Sequence, residues 1–189
     1  MGINPAGTIT GSYLDGGTSS DRGFLRTPHG TFISFDPPGS VLTQVEGINP
    51  AGEITGYYFP NFFTGPVHGF LRNPKSGIIL SFDPPAPFPP MGIFPYAKNP
   101  AGTVTGNYFA NNAYHGFLRT RSGKFTTFDG PPGSPGDLLP PSTQPAAINP
   151  AGEVTGNYVT TDANFVSTTR GFLRIPAHED EGEGLAGGD

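Results

Sequence analysis

The sequence predicts an all-β, β-propeller-like protein: four repeats of about 45–50 residues, each a four-stranded antiparallel blade, the last blade incomplete. Three observations carry this. Asn-Pro-Ala-Gly begins at Asn4, Asn49, Asn99 and Asn149, at spacings of 45, 50 and 50. Gly-Phe-Leu-Arg follows in every copy, ending at Arg26, Arg72, Arg119 and Arg174. Ser-Phe-Asp or Thr-Phe-Asp closes the first three copies at Asp36, Asp83 and Asp129. A period of this length marks a unit that cannot bury its own apolar face and is repeated so that neighbours cover one another.

The elements follow in order. "TQVEGIN" and "EITGYY" read as the first two strands, joined by a tight turn at Asn-Pro-Ala-Gly. Pro50 presets φ at the first central position, and Gly52 takes φ > 0 after it. Strand two alternates Ile54, Gly56 and Tyr58 with Thr55 and Tyr57. Strict alternation puts these sets on opposite faces, and the first set is expected to be the buried one. Gly56 and its equivalents Gly11, Gly106 and Gly156 are expected where a neighbouring sheet approaches too closely for a side chain. "HGFLR" and "IILSFD" supply strands three and four. The Arg that ends Gly-Phe-Leu-Arg and the Asp that ends strand four are expected to pair across their hairpin. A Pro-rich link then stops the ladder, since Pro has no N–H to give it.

The first copy lacks most of its first strand and the fourth lacks a counterpart of "FTTFD", which leaves about 15 strands. Two outcomes fit: a compact four-bladed ring with one weak blade, or an open arc that completes itself by pairing with other chains. Residues 1–176 are expected to form one β-repeat domain, with blades near 2–42, 43–92, 93–142 and 143–176, followed by a disordered acidic tail at 177–189. The chain opens inside a repeat, as though cut from a longer one.

Composition narrows the function. Gly and Pro number 29 and 23 of 189 residues. They recur at fixed places, so they read as turn residues rather than as a disordered tract. The net charge is −5, and five acids sit in the last eleven residues. The body is therefore neutral and has no basic face to attract nucleic acid. The absence of Cys excludes disulfides, thiolate metal sites and a cysteine nucleophile. No run of about 18 apolar residues is present to span a membrane, and the first residues carry no signal-peptide pattern.

The unit "INPAGxITGxY … HGFLR … GxFTTFDxPG" resembles bacterial extracellular repeats of the HAF type, named for a His-Ala-Phe tripeptide where this chain has His-Gly-Phe at His68 and His115. The resemblance spans residues 2 to about 176. It implies a β-repeat fold on a secreted or cell-surface protein, and no named chemistry. The first and fourth copies depart from it, with Arg22 and Arg170 in place of the histidines.

No enzyme motif stands out, and neither catalytic residues nor a cofactor or metal is assigned. The match to G-x-G-x-x-G from Gly182 follows no strand and opens no helix. His68 and His115 suit ordinary hydrogen bonds better than a shared metal, because Arg replaces them twice. The oxygen-rich stretch Asp15–Asp21 lacks the alternating acids of a calcium loop. The loops between strands two and three vary while their flanks barely change, and binding residues often ride on such loops. Phe59, Asn61, Phe62, Phe63, Asn111, Asn112, Tyr114, Asp162 and Phe165 form the candidate ligand-binding set, a mix of rings and polar groups that suits a glycan or a protein surface. The expected function is a non-enzymatic extracellular scaffold that presents these loops. The alternative is a structural protein that completes its open blade between chains as a ring or filament.

Overall fold

A computed structural model describes residues 1–61, 65–84, 92–131 and 141–176. Phe62, Phe63 and the acidic segment 177–189 lie outside the described residues. Among the described residues fifteen strands are formed. The first blade holds β1 (Gly2–Ile3), β2 (Ile9–Asp15), β3 (Ser20–Arg26) and β4 (Phe32–Phe35). The second holds β5 (Leu42–Ile48), β6 (Ile54–Phe59), β7 (His68–Arg72) and β8 (Ile79–Phe82). In the third are β9 (Gly92–Lys98), β10 (Val104–Ala110), β11 (Ala113–Arg119) and β12 (Phe125–Phe128). The fourth has three: β13 (Ser142–Ile148), β14 (Val154–Thr161) and β15 (Ser167–Arg174). Every sheet is an antiparallel meander in chain order, and the architecture is β-propeller-like.

First strands of successive blades touch one another, so they line the inner side, while fourth strands rest mainly on their own third strands at the outside. The two terminal blades do not pack together as internal neighbours do. Among the described residues the molecule is therefore an open arc. Phe32 on the first blade is 54% exposed and Leu173 on the last is 63% exposed, because no further blade covers them.

Each turn between strands one and two is closed in the same way. The Gly amide donates to the Asn carbonyl, at 2.9 Å in Gly52 to Asn49, and Gly52 sits at φ 82°. Asn49 Oδ1 also accepts from the Glu53 amide at 3.0 Å, and Asn4 and Asn99 do the same for Thr8 and Thr103. The repeated asparagine has a second use. Asn49 Nδ2 donates to the Asn99 carbonyl at 3.3 Å, and Asn99 Nδ2 donates to the Asn149 carbonyl at 3.2 Å. Buried amides thus tie turn to turn across the blades, which satisfies groups that burial would otherwise penalise.

The apolar core is interdigitated between blades. One cluster joins Leu25 and Phe35 of the first blade to Val45, Ile54, Tyr58 and Phe70 of the second. Another joins Leu71 and Phe82 to Ile93, Val104, Tyr108 and Phe117 of the third. Phe70 and Phe117 are fully buried.

Three local expectations are corrected. Thr10, Thr55 and Thr105 are fully buried, so the polar set of strand two is covered as well as the apolar one. An internal blade has neighbours on both faces, and each threonine hydroxyl is satisfied inside its own sheet: Thr55 Oγ1 donates to the Phe70 carbonyl at 3.1 Å and Thr105 Oγ1 to the Phe117 carbonyl at 2.9 Å. Thr155, on the uncovered fourth blade, is exposed.

The second correction concerns the glycines of strand two. A Cβ on Gly56 or Gly106 would strike a backbone carbonyl of its own blade's first strand, at Gln44 or Phe94, rather than a neighbouring sheet. The cause is a β-bulge, since the pairing register slips between Val45 and Gly47 and again opposite Thr105 and Gly106.

The third is the Arg–Asp pair. An antiparallel register sets Arg26 opposite Phe32 and Gly23 opposite Phe35, so Arg and Asp stand at opposite ends of the hairpin. The residue before the motif meets the Asp instead. Arg22 Nη1 lies 3.6 Å from Asp36, His68 Nδ1 2.8 Å from Asp83, and His115 Nδ1 2.8 Å from Asp129. Arg and His thus fill one structural post. The motif arginines reach back to the preceding blade. Arg72 stacks over Phe35 at 5.0 Å, Arg119 over Phe82 at 4.8 Å and Arg174 over Phe128 at 5.2 Å. Each is a cation–π contact across a blade boundary.

Candidate functional site

An up-and-down meander sends every loop between strands two and three to one end of the arc, and the Asn-Pro-Ala-Gly turns to the other. At the loop end the structure sorts the candidate residues. Asn111 and Asn112 form a two-residue turn with φ of 49° and 62°. Asparagine tolerates this left-handed conformation, so the pair has a turn-forming role and points two exposed amides outward. Asp162 closes its loop: Oδ1 accepts from the Asn164 and Val166 amides, each at 2.9 Å. That carboxylate is committed to the backbone. Asn61 is exposed beside its loop. Phe165 is 80% exposed at φ 61°, a conformation an aromatic residue rarely adopts.

Phe59 and Tyr114 belong to a continuous band of five half-buried rings that bridges the second and third blades. Tyr57 lies 6.0 Å from Phe59 and 5.1 Å from Phe94. Phe94 lies 6.2 Å from Tyr114, and Tyr114 5.0 Å from Phe109. All four contacts are edge-to-face, the preferred meeting of aromatic quadrupoles. Tyr57, Phe94 and Phe109 were not among the sequence candidates. Phe94 did carry a signal, because the second and fourth copies place Gln44 and Gln144 there.

The inner side of the arc is more polar. Glu46, Tyr96, Gln144 and Asn157 line an open cavity of about 390 Å³. Burial, with Tyr57 and Glu46 nearby, pushes the Tyr96 hydroxyl up to about 12, so it stays a neutral donor; it lies 3.4 Å from Asn107 Oδ1. Burial also raises the Glu46 carboxyl, with the N-terminal amine partly offsetting it. A carboxylate whose charged form is penalised costs stability at neutral pH. Glu46→Gln is therefore expected to stabilise the protein at pH 7. The gain should shrink as pH falls through the raised value and the wild-type side chain takes up its proton. Urea denaturation at pH 7 and pH 4 checks both signs.

The remaining candidate groups have structural partners. Asp15 pairs with Arg22 at 2.9 Å, and Asp21 accepts from Gln44. The ring of His68 lies 5.3 Å from that of Tyr58, and that of His115 5.3 Å from Tyr108, with each histidine also held by the aspartate of its own blade. Among the described residues no group of three or more potential metal ligands converges. Nor is any helix among them long and apolar enough to cross a membrane.

No family model and no curated protein matches the chain. Among solved structures it is similar in fold to a catalytically inactive variant of virginiamycin B lyase from Staphylococcus aureus, solved with quinupristin. The identity is 15%, the TM-score is 0.50, and the match covers 89% of this chain and 53% of that one. A selenomethionine-substituted form of the same enzyme matches at 18% identity and a TM-score of 0.47, with the same coverage. The chain thus spans about half the length of that enzyme, and the likeness is one of fold.

Proposed function

We propose that this chain is a non-enzymatic scaffold, secreted or displayed at a cell surface, that engages a glycan through the loop end of its arc. The observation that carries the reading is the five-ring band from Phe59 to Phe109, flanked by the outward amides of Asn111 and Asn112. Ring faces stack on the C–H faces of sugars, and amides bond their hydroxyls. The five rings lie on strands and the two amides on a two-residue turn, which keeps the ordering cost of binding low. The non-enzymatic reading is supported by the carboxylates of the repeat, which serve as hairpin and loop partners.

A glycan array, followed by titration of the best hit, tests the reading. Tyr114→Ala is expected to weaken binding at least about tenfold. Phe165→Gly is expected to weaken binding while leaving the melting temperature unchanged or higher, since glycine suits φ 61°. An array with no hits, or a titration indifferent to both substitutions, rejects glycan recognition here; capture of a surface protein by the same loops would move the partner class to protein.

A second reading rests on the exposed terminal faces. Phe32 and Leu173 occupy posts that neighbouring blades cover elsewhere in the arc. Head-to-tail pairing of chains would cover them and form a ring or filament. Light scattering that finds a strict monomer at high concentration excludes it.

A further inference from the structure

The turn end of the arc, opposite the variable loops, holds a cleft of about 400 Å³ between the second and third blades. Arg72, Lys98, Arg119 and Arg121 line it together with one carboxylate, Glu53. Glu53 already serves two cations: its oxygens lie 3.1 Å from Lys98 Nζ and 3.2 Å from Arg121 Nη2. An excess of three positive charges remains in the cleft. The motif arginines carry most of it. Arg72 is 9% exposed and Arg119 8%, and the Nε of each is buried without a hydrogen-bond partner. Beyond its stacking on Phe35, Arg72 has no polar partner among the described residues, and Arg119 has one weak bond to the Thr120 carbonyl at 3.4 Å. Burial pushes both guanidinium pKa values down. A buried cation lacking an anion is costly, and proteins ordinarily pair it.

The repeat supplies an independent observation. Lys98 stands where the other copies have Ile3, Ile48 and Ile148. Arg121 stands where they have Pro28, Pro74 and Pro176. Two departures from the repeat, both to cations and both in the third copy, converge on one cleft. An ion pair for Glu53 needs only one of them.

We propose that this cleft is a binding site for an oxyanion, a carboxylate, sulfate or phosphate group carried on a small molecule or a chain end. Guanidinium forks match such groups two oxygens at a time. The volume admits a body larger than a bare ion, and the exposed Ile78 and Leu80 give that body an apolar wall. The site lies at the far end from the aromatic band and does not depend on the glycan reading.

Thermal melts of the whole chain in phosphate, sulfate or glucuronate, each against chloride at constant ionic strength, test it. A ligand that binds only the folded state raises the melting temperature with its concentration. The wild type is expected to respond to at least one of the three, and which one responds identifies the carrier. Lys98→Ile with Arg121→Pro restores the residues of the other repeats and should raise the half-saturating concentration about tenfold or more. Should that pair fail to fold, Arg121→Gln alters one exposed side chain and should raise it severalfold. Glu53→Gln removes the competing carboxylate and should lower it. No response from any of the three anions, or an equal response in wild type and the cation-deleted variants, overturns the proposal.

Discussion

Gly106→Ala is expected to cost the protein about 3 kcal/mol or more, far above the usual price of a glycine-to-alanine change. The added Cβ would land on the Phe94 carbonyl oxygen and lie 2.7 Å from Pro95 Cα. Both are backbone atoms of the paired strand, so relief requires parting β9 from β10 at the bulge. Gly56 meets the same obstacle at the Gln44 carbonyl, and Gly56→Ala should behave alike. Two controls give the test its resolution. Gly11 holds the equivalent post in the first blade, where the first strand is only Gly2–Ile3 and does not reach it. A Cβ there meets the Phe24 ring edge at 3.0 Å, a side chain that can shift. Gly16 has nothing within 4 Å. Chemical denaturation should rank the losses as Gly106 and Gly56, then Gly11, then Gly16, with the last within about 0.5 kcal/mol of wild type.

The second large effect is expected from Phe117→Ala. This ring is fully buried where the third blade meets the second, against Phe125 at 5.6 Å. Truncating a ring in such a site removes its transfer free energy and leaves a cavity, about 3–5 kcal/mol together. The same logic gives position-dependent costs for one repeated residue. Leu25 is 8% exposed under the second blade, while Leu173, at the same post in the fourth blade, is 63% exposed. Leu25→Ala should cost about 2–5 kcal/mol, and Leu173→Ala under about 1 kcal/mol. Equal losses would mean that stacking between blades is not what buries the repeat.

Local chemistry made much of the fold legible in the sequence. Asn-Pro-Ala-Gly fixes a turn by the geometry of Pro and Gly alone, and period-two alternation marks the strands beside it. The strand count and the incomplete last blade follow from those signals. What failed was nonlocal. The partner of Arg72 is Phe35, in the preceding blade, and nothing within one repeat points to it. The burial of Thr55 depends on the blade that follows, so a one-faced reading of its strand was bound to leave it outside. Gly56 is expected to face a neighbouring sheet, whereas the obstacle is the bulge in β5 of its own sheet, which leaves no mark at Gly56 itself.

The candidate site divides along the same line. Phe59 and Tyr114 were visible because they flank loops that vary among copies. Tyr57 sits inside a repeated strand, and only the fold brings it to 5.1 Å from Phe94. Asn111, Asn112 and Asp162 were read for their polar groups, whereas the backbone uses them first, through positive φ and loop closure. Lys98 and Arg121 break the repeat, a signal the sequence reading passes over; they stand 23 positions apart and only the stacking of blades brings both to Glu53.

The claim on which all of this rests is that a blade is stable only when stacked. A peptide of the third repeat alone, Gly92 to Asp129, tests it most directly by circular dichroism during heating, beside the intact chain. The account predicts a cooperative loss of β signal for the whole chain and none for the peptide, whose Ile93, Val104 and Phe117 would lose the partners that bury them. A peptide that melts cooperatively at the temperature of the whole chain would contradict it.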